Sequence, residues 1–182
     1  MDNNFQRIGS VSNAHVGSAF ETRIREFFLA RGLDLTLNHV VAVGVGTRKK
    51  NRNFDLGSEN PAVLVECKSH KWTSGGNIPS AKVTVWNESM YYFHLAPSHY
   101  RKIFCVLKDH NARRSETLAA YYLRNYSHLI PDGIEIWEFD EATQSSDQIW
   151  PIKLLQSESA VETGLQSVTV NLGENLEGPA IR

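Results

Sequence analysis

Cysteine is scarce: the 182 residues contain only Cys67 and Cys105, each inside an apolar run. So few thiols argue against a disulfide framework or a cysteine-based zinc site, and make a reducing intracellular setting the default. Long apolar runs are absent as well, with no stretch reaching the roughly 18 residues that cross a bilayer. The opening residues Met1-Asp2-Asn3-Asn4 lack the basic-then-apolar layout of a signal peptide. A soluble, cytoplasmic protein with no membrane partner is expected. The histidines form no ligand set, since His94 and His99 lie five apart across a predicted helix end with no cysteine pair beside them. No Gly-x-x-x-x-Gly-Lys loop occurs, which argues against an ATP-driven motor.

What is present is material for a core. Hydrophobic residues make up 41%, aromatics 10% and charged residues 21%, a globular composition rather than that of a disordered chain or coiled coil. The length suits one domain, or one domain with a tail. Net charge is −1, but that average hides a split. Residues 1–128 hold 17 basic and 10 acidic side chains, net +7, whereas residues 129–182 hold 2 and 10, net −8. The first part has a charge balance compatible with phosphate binding.

Along the chain, Phe20, Ile24, Phe27, Phe28 and Arg31 recur at helical steps, which predicts a helix over 12–31 ended by Gly32. A β-branched run predicts a strand over 36–45. A basic connector, 47–52, then leads into Asn53-Phe54-Asp55-Leu56, and a turn cluster at 57–61 precedes a strand over 62–69. After a polar loop, Pro79 suits the first turn of a helix whose Val83, Trp86, Met90 and Phe93 keep helical spacing. A strand over 101–107, a helix over 115–128 capped by Ser115, and a strand over 133–139 complete the plan. The order α-β-β-β-α-β-α-β describes an α/β domain over 1–152, with 153–182 as an acidic, polar tail or docking arm.

Asp55, Glu66 and Lys68 carry the chemistry. The strand 62–69 is apolar on both faces until Glu66, so it is interior, and alternation puts Glu66 and Lys68 on one face. A hairpin centred on Asn60-Pro61 sets Asp55 directly opposite Glu66, at the roughly 4.5–5.5 Å that separates opposed Cβ atoms. Two carboxylates that close need a cation between them. Mg²⁺ suits, because it prefers oxygen and takes one or two protein carboxylates with waters and substrate phosphate oxygens. Lys68 could then hold or help deprotonate a metal-bound water, which is equipment for phosphodiester hydrolysis. The competing reading is a structural ion pair, although side chains two apart on a strand are poorly placed to satisfy one another.

Phe54-Asp55 followed by Val65-Glu66-Cys67-Lys68, behind a helix carrying Glu21, resembles the PD-(D/E)XK nuclease superfamily, the restriction-endonuclease-like group. The similarity spans roughly residues 12–108, with Phe54 in place of the proline of the family name. The resemblance implies a mixed central sheet flanked by helices. It implies Asp55 and Glu66 as ligands of Mg²⁺ (or Mn²⁺), the Cys67 backbone carbonyl as a further ligand, and Lys68 positioning the nucleophilic water. Glu21 matches an acidic residue that many members carry near the metal. Glu21 also fits a capping box, Ser18-Ala-Phe-Glu21, for a helix that starts at Ser18.

Around this set, Arg48, Lys49, Lys50 and Arg52 either form a solvated loop or grip phosphates beside the scissile bond. In the loop after Lys68, Lys71 and Trp72 are candidate nucleic-acid contacts, with Trp72 able to stack on a base; a plain strand-to-helix turn is the simpler reading. Lys82 is a candidate phosphate contact or a solvated lysine. Asn87, Glu88, Arg113 and Arg114 read as polar surface. The expectation is a Mg²⁺-dependent endonuclease acting on DNA, which is favoured over RNA by analogy alone. Cutting both strands calls for a homodimer or a sequence-reading partner subunit, and a type II restriction endonuclease is one form of this. The alternative is a catalytically silent nucleic-acid-binding or assembly module of the same fold.

Overall fold

A computed structural model describes residues 13–151. The predicted tail over 153–182 lies outside the described residues. Helix α1 (Asn13–Leu29) is followed by strands β1 (Thr36–Val43), β2 (Lys50–Glu59) and β3 (Ala62–Lys68), then helix α2 (Ser80–Leu95) and strand β4 (Arg101–Leu107). A two-strand ladder, β5 (His110–Asn111) with β6 (Glu116–Thr117), leads into helix α3 (Leu118–Tyr126); β7 (Ile134–Asp140) and β8 (Ser145–Trp150) close the described chain. Six strands form one mixed sheet in the order β1-β2-β3-β4-β7-β8. β3-β4 and β4-β7 are parallel and the other neighbours antiparallel. The chain is therefore α/β, with helices on both faces of the sheet.

Each face has its own core, and the helical spacing of the apolar residues decides which. Phe20, Ile24, Phe27 and Phe28 of α1 pack with Leu56, Val63, Val65, Ile103 and Phe139. On the opposite face Val83, Trp86, Met90 and Phe93 of α2 join Leu118, Ala119 and Tyr122 of α3 over Leu64, Phe104, Val106 and Ile136. Strands β3 and β4 contribute to both cores, which explains their near-continuous apolar sequence. Phe20 is fully buried and meets Phe139 edge to face at 6.0 Å. Phe20→Ala is therefore expected to cost about 3–5 kcal/mol, read as a lowered urea midpoint with an unchanged slope.

The structure corrects several boundaries. Strand β2 begins at Lys50, so part of the expected basic connector is strand. Gly57, Ser58 and Glu59 are also strand, leaving only Asn60 and Pro61 in the turn. Gly57 is required there because a Cβ would lie 2.6 Å from the His39 ring. Ser115 does not cap α3: it sits at φ 52 in the turn of the small ladder, and Thr117 caps instead, its hydroxyl accepting from the Ala120 amide at 3.1 Å. Strand β8 is an addition to the expected order. Among the described residues no helix is long and apolar enough to cross a membrane.

Candidate active site

The site is built where β2 changes face. Phe54 stacks on Phe93 of α2, with centroids 5.6 Å apart, whereas Leu56, two residues on, belongs to the α1 core. A regular strand would send both the same way. The switch falls at Asp55, facing the interruption of the β1–β2 pairing at Asn38, a residue at φ 54. Asparagine tolerates that left-handed conformation better than most side chains. The β2–β3 ladder runs from Glu59↔Ala62 to Leu56↔Val65 and ends there, one step short of the Asp55–Glu66 pair expected from the hairpin. Asp55 Oδ2 accepts from the Cys67 backbone amide at 2.7 Å, which fixes the carboxylate over the end of β3.

Glu66 is buried at 3% exposure. Its Oε1 accepts from Lys68 Nζ at 2.9 Å, from Arg52 Nη2 at 3.0 Å and from Ser89 Oγ at 3.4 Å. Its Oε2 is buried with no hydrogen-bond partner, a costly state for a carboxylate oxygen. Lys68 Nζ also lies 3.6 Å from Asp55 Oδ2, so the ammonium sits between the two carboxylates. This corrects the expectation that side chains two apart on β3 are poorly placed to satisfy one another. The long lysine stem folds back to reach its neighbour.

The electrostatics follow from burial. Burial, and then the Glu66 charge, raise the pKa of Asp55, against the opposing effects of Lys68 and the Cys67 amide. For Lys68 burial is the largest influence and acts downward, but Glu66 and Asp55 together outweigh it and the pKa is raised. Glu21 is raised by burial and then by Asp55, with Lys68 opposing and Glu66 adding to the rise. Glu21 is thus within electrostatic reach of the centre. Because α1 starts at Asn13, Glu21 stands well inside the helix, and the capping box starting at Ser18 does not form. Burial pushes the Cys67 thiol well up, so it stays protonated, and what Cys67 contributes to Asp55 is its amide.

Lys68 opens onto a cleft of about 550 Å³ between the start of α1 (Val16, Gly17) and the start of α2 (Pro79, Lys82). Lys71 and Lys82, both exposed, line it. Arg48, Lys49 and Lys50 are exposed and edge a separate groove with Tyr91 and Tyr92, where Lys49 Nζ is tied to the Gly44 carbonyl at 2.8 Å. Arg52 turns inward instead, its guanidinium 3.7 Å over the Tyr92 ring and bonded to Glu66. Trp72 is not presented for base stacking. It is 9% exposed, its amide and indole N–H both donate to Asp109, and Tyr121 packs against its ring.

Sequence reasoning missed two parts of the centre. Arg52, expected as a solvated loop charge or a phosphate grip, bonds Glu66 instead, and Ser89, which carries no expectation beside Asn87 and Glu88, does so too. Ser89 does carry a signal, since it lies three residues after Trp86 and four before Phe93, a hydroxyl in phase with the apolar stripe. Asn87 does not face water alone: it accepts from the Tyr122 hydroxyl at 3.0 Å.

Among the described residues, no group of three or more His, Cys, Asp or Glu side chains is placed to hold one ion. The donor set still suits Mg²⁺, which commonly takes only one or two carboxylates from protein. The partnerless Oε2 of Glu66 and the cation already required between Glu66 and Asp55 both fit a divalent ion. Compared with family models, curated proteins and solved structures, the chain finds no match.

Proposed function

We propose that this chain is a Mg²⁺-dependent (or Mn²⁺-dependent) endonuclease of restriction-endonuclease-like fold that hydrolyses DNA phosphodiesters. The observation that carries the reading is a buried Glu66 with a partnerless carboxylate oxygen beside a half-buried Asp55, the two bridged by Lys68 at the mouth of a lysine-lined cleft. Asp55, Glu66 and the Cys67 carbonyl would hold the ion. When bound, it supplies Lewis acidity and charge neutralisation at a phosphoryl oxygen. The Cys67 amide keeps Asp55 oriented, and Arg52 and Ser89 keep Glu66 oriented. Lys68 orients the attacking water and offsets charge developing on the phosphoryl group. Glu21, with its raised pKa, is a proton acceptor at the edge of the same site. Lys71 and Lys82 bind phosphates in the cleft, and Arg48, Lys49 and Lys50 bind the flanking strand. Cleaving a duplex requires a homodimer or a partner that reads sequence, as in a type II restriction endonuclease.

One observation favours a second reading, a catalytically silent DNA-binding module. Glu66 Oε1 already has two cationic donors, Lys68 and Arg52, which could be a closed structural cluster. Incubating wild-type protein with supercoiled plasmid and Mg²⁺ separates the two readings. The nuclease reading expects nicking that EDTA stops and that Glu66→Ala lacks, with DNA retention in a gel shift preserved. Binding without cleavage of duplex, single-stranded DNA or RNA would leave the silent module standing.

A further inference from the structure

The cleft beside Lys68 contains an imidazole that the centre described above does not use. His70 follows Lys68 by two residues, half-buried, and lines the cleft with Lys71 and Lys82. Its Nδ1 is 2.8 Å from Nε1 of Trp86, and the two rings are stacked, 13° from parallel with centroids 6.3 Å apart. An indole N–H can only donate, so Nδ1 is the unprotonated nitrogen. Trp86 is in turn immobilised: it has no exposed surface and packs edge to face on Phe104 and Tyr122. Burial, then the charges of Lys82 and Lys68, push the imidazole pKa down to about 4. At neutral pH the ring carries one proton, on Nε2. Among the described residues no protein group pairs with that nitrogen.

A fixed N–H donor at a lysine-lined cleft wall suits an anionic oxygen. It adds a directional hydrogen bond without a further like charge beside the two ammonium groups. We propose that His70, locked by Trp86 as its Nε2–H tautomer, donates a hydrogen bond to a non-bridging oxygen of the bound phosphodiester, alongside Lys68 and Lys82. This contact rests on the nuclease reading and extends it to a group that holds the substrate.

Nitrogen-15 NMR of the histidine side chains tests the tautomer in the intact protein, without any variant. The Nε2–H form should persist, uncharged, from about pH 5.5 to pH 8, and its proton should move downfield when a short DNA duplex is added with Ca²⁺. A protonated ring at neutral pH, the Nδ1–H tautomer, or no response to bound duplex overturns the proposal. Kinetics test the contact itself. His70→Phe keeps a ring against Trp86 and removes the donor, whereas His70→Gln sets an amide N–H near the Nε2 position. Cleavage should fall about tenfold to a hundredfold in the Phe variant and recover most of that loss in the Gln variant. Wild-type cleavage by His70→Phe sinks the His70 contact and leaves the nuclease intact. Wild-type protein that neither binds nor cuts any oligonucleotide sinks the nuclease reading, and the contact with it.

Discussion

Lys68→Ala is expected to slow phosphodiester cleavage by about a hundredfold to ten-thousandfold and to make the metal-free protein less stable. The two effects share one cause. Lys68 Nζ is the cation that faces both carboxylates, 2.9 Å from Glu66 and 3.6 Å from Asp55. Without it Asp55 and Glu66 confront one another, with Arg52 still bonded to Glu66 alone. Deleting one member of a buried ion pair typically costs about 3–5 kcal/mol, and the remaining Arg52 contact should bring this case towards the lower end. Lys68→Met retains much of the apolar stem and separates lost packing from lost charge. A divalent ion that shares the carboxylates should also restore more stability to the variant than it adds to wild type, because no ammonium competes. Melting curves with EDTA and with Mg²⁺, run beside plasmid cleavage, read both effects. Equal Mg²⁺ shifts in wild type and variant would show that ammonium and metal do not share a site. Undiminished cleavage would remove Lys68 from the chemistry.

The sequence made Glu66 and Lys68 legible because β3 is apolar on both faces, so charge at its end stands out. The nearness of Asp55 to Glu66 was also readable, since the Asn60-Pro61 turn is short, although the ladder itself ends at Leu56↔Val65 and Lys68 is what joins the two carboxylates. Glu21 was not decidable from sequence. Ser18-x-x-Glu21 fits a capping box as well as an acidic helix face, and only the start of α1 at Asn13 separates them. The sequence leaves Arg52 between loop charge and phosphate grip because its inward orientation depends on the change of face at Asp55 and on Tyr92, forty residues away. The burial of Trp72, left open between base stacking and a plain turn, is hidden from the sequence for a similar reason: its partner Asp109 lies 37 residues away. Strand β8 reads Ser-Ser-Asp-Gln-Ile-Trp, whose own β signal is weak, and it forms by pairing with β7 at the sheet edge. Local periodicity thus reached the elements and the acid pair. Contacts made between distant segments were beyond it.

Asp55→Asn should have the opposite effect on stability while also stopping cleavage. The folded-state pKa of Asp55 is raised by burial and by Glu66, so the native state binds this proton more readily than the unfolded chain does. Its contribution is therefore favourable below the ordinary aspartate pKa and is lost as pH rises through the raised one. At neutral pH the ionised, partly desolvated carboxylate is a load on the metal-free fold. Asparagine cannot ionise, and its carbonyl oxygen can still accept from the Cys67 amide, as Asp55 Oδ2 does at 2.7 Å. Metal-free Asp55→Asn is expected to be more stable than wild type at neutral pH by about 0.5–2 kcal/mol, with the gap closing as pH falls towards about 4. Glu21, raised in the same direction, leaves a residual pH slope in the variant. Lys68 loses one of its carboxylates, which limits the gain. Urea unfolding in EDTA from about pH 4 to pH 8 measures the gap, and an unchanged slope against urea confirms that both proteins unfold the same surface. Parallel stability curves across that range would mean that Asp55 carries no strained charge. A widening gap towards higher pH, joined to loss of cleavage, marks a carboxylate kept where it weakens the fold because the reaction needs it there.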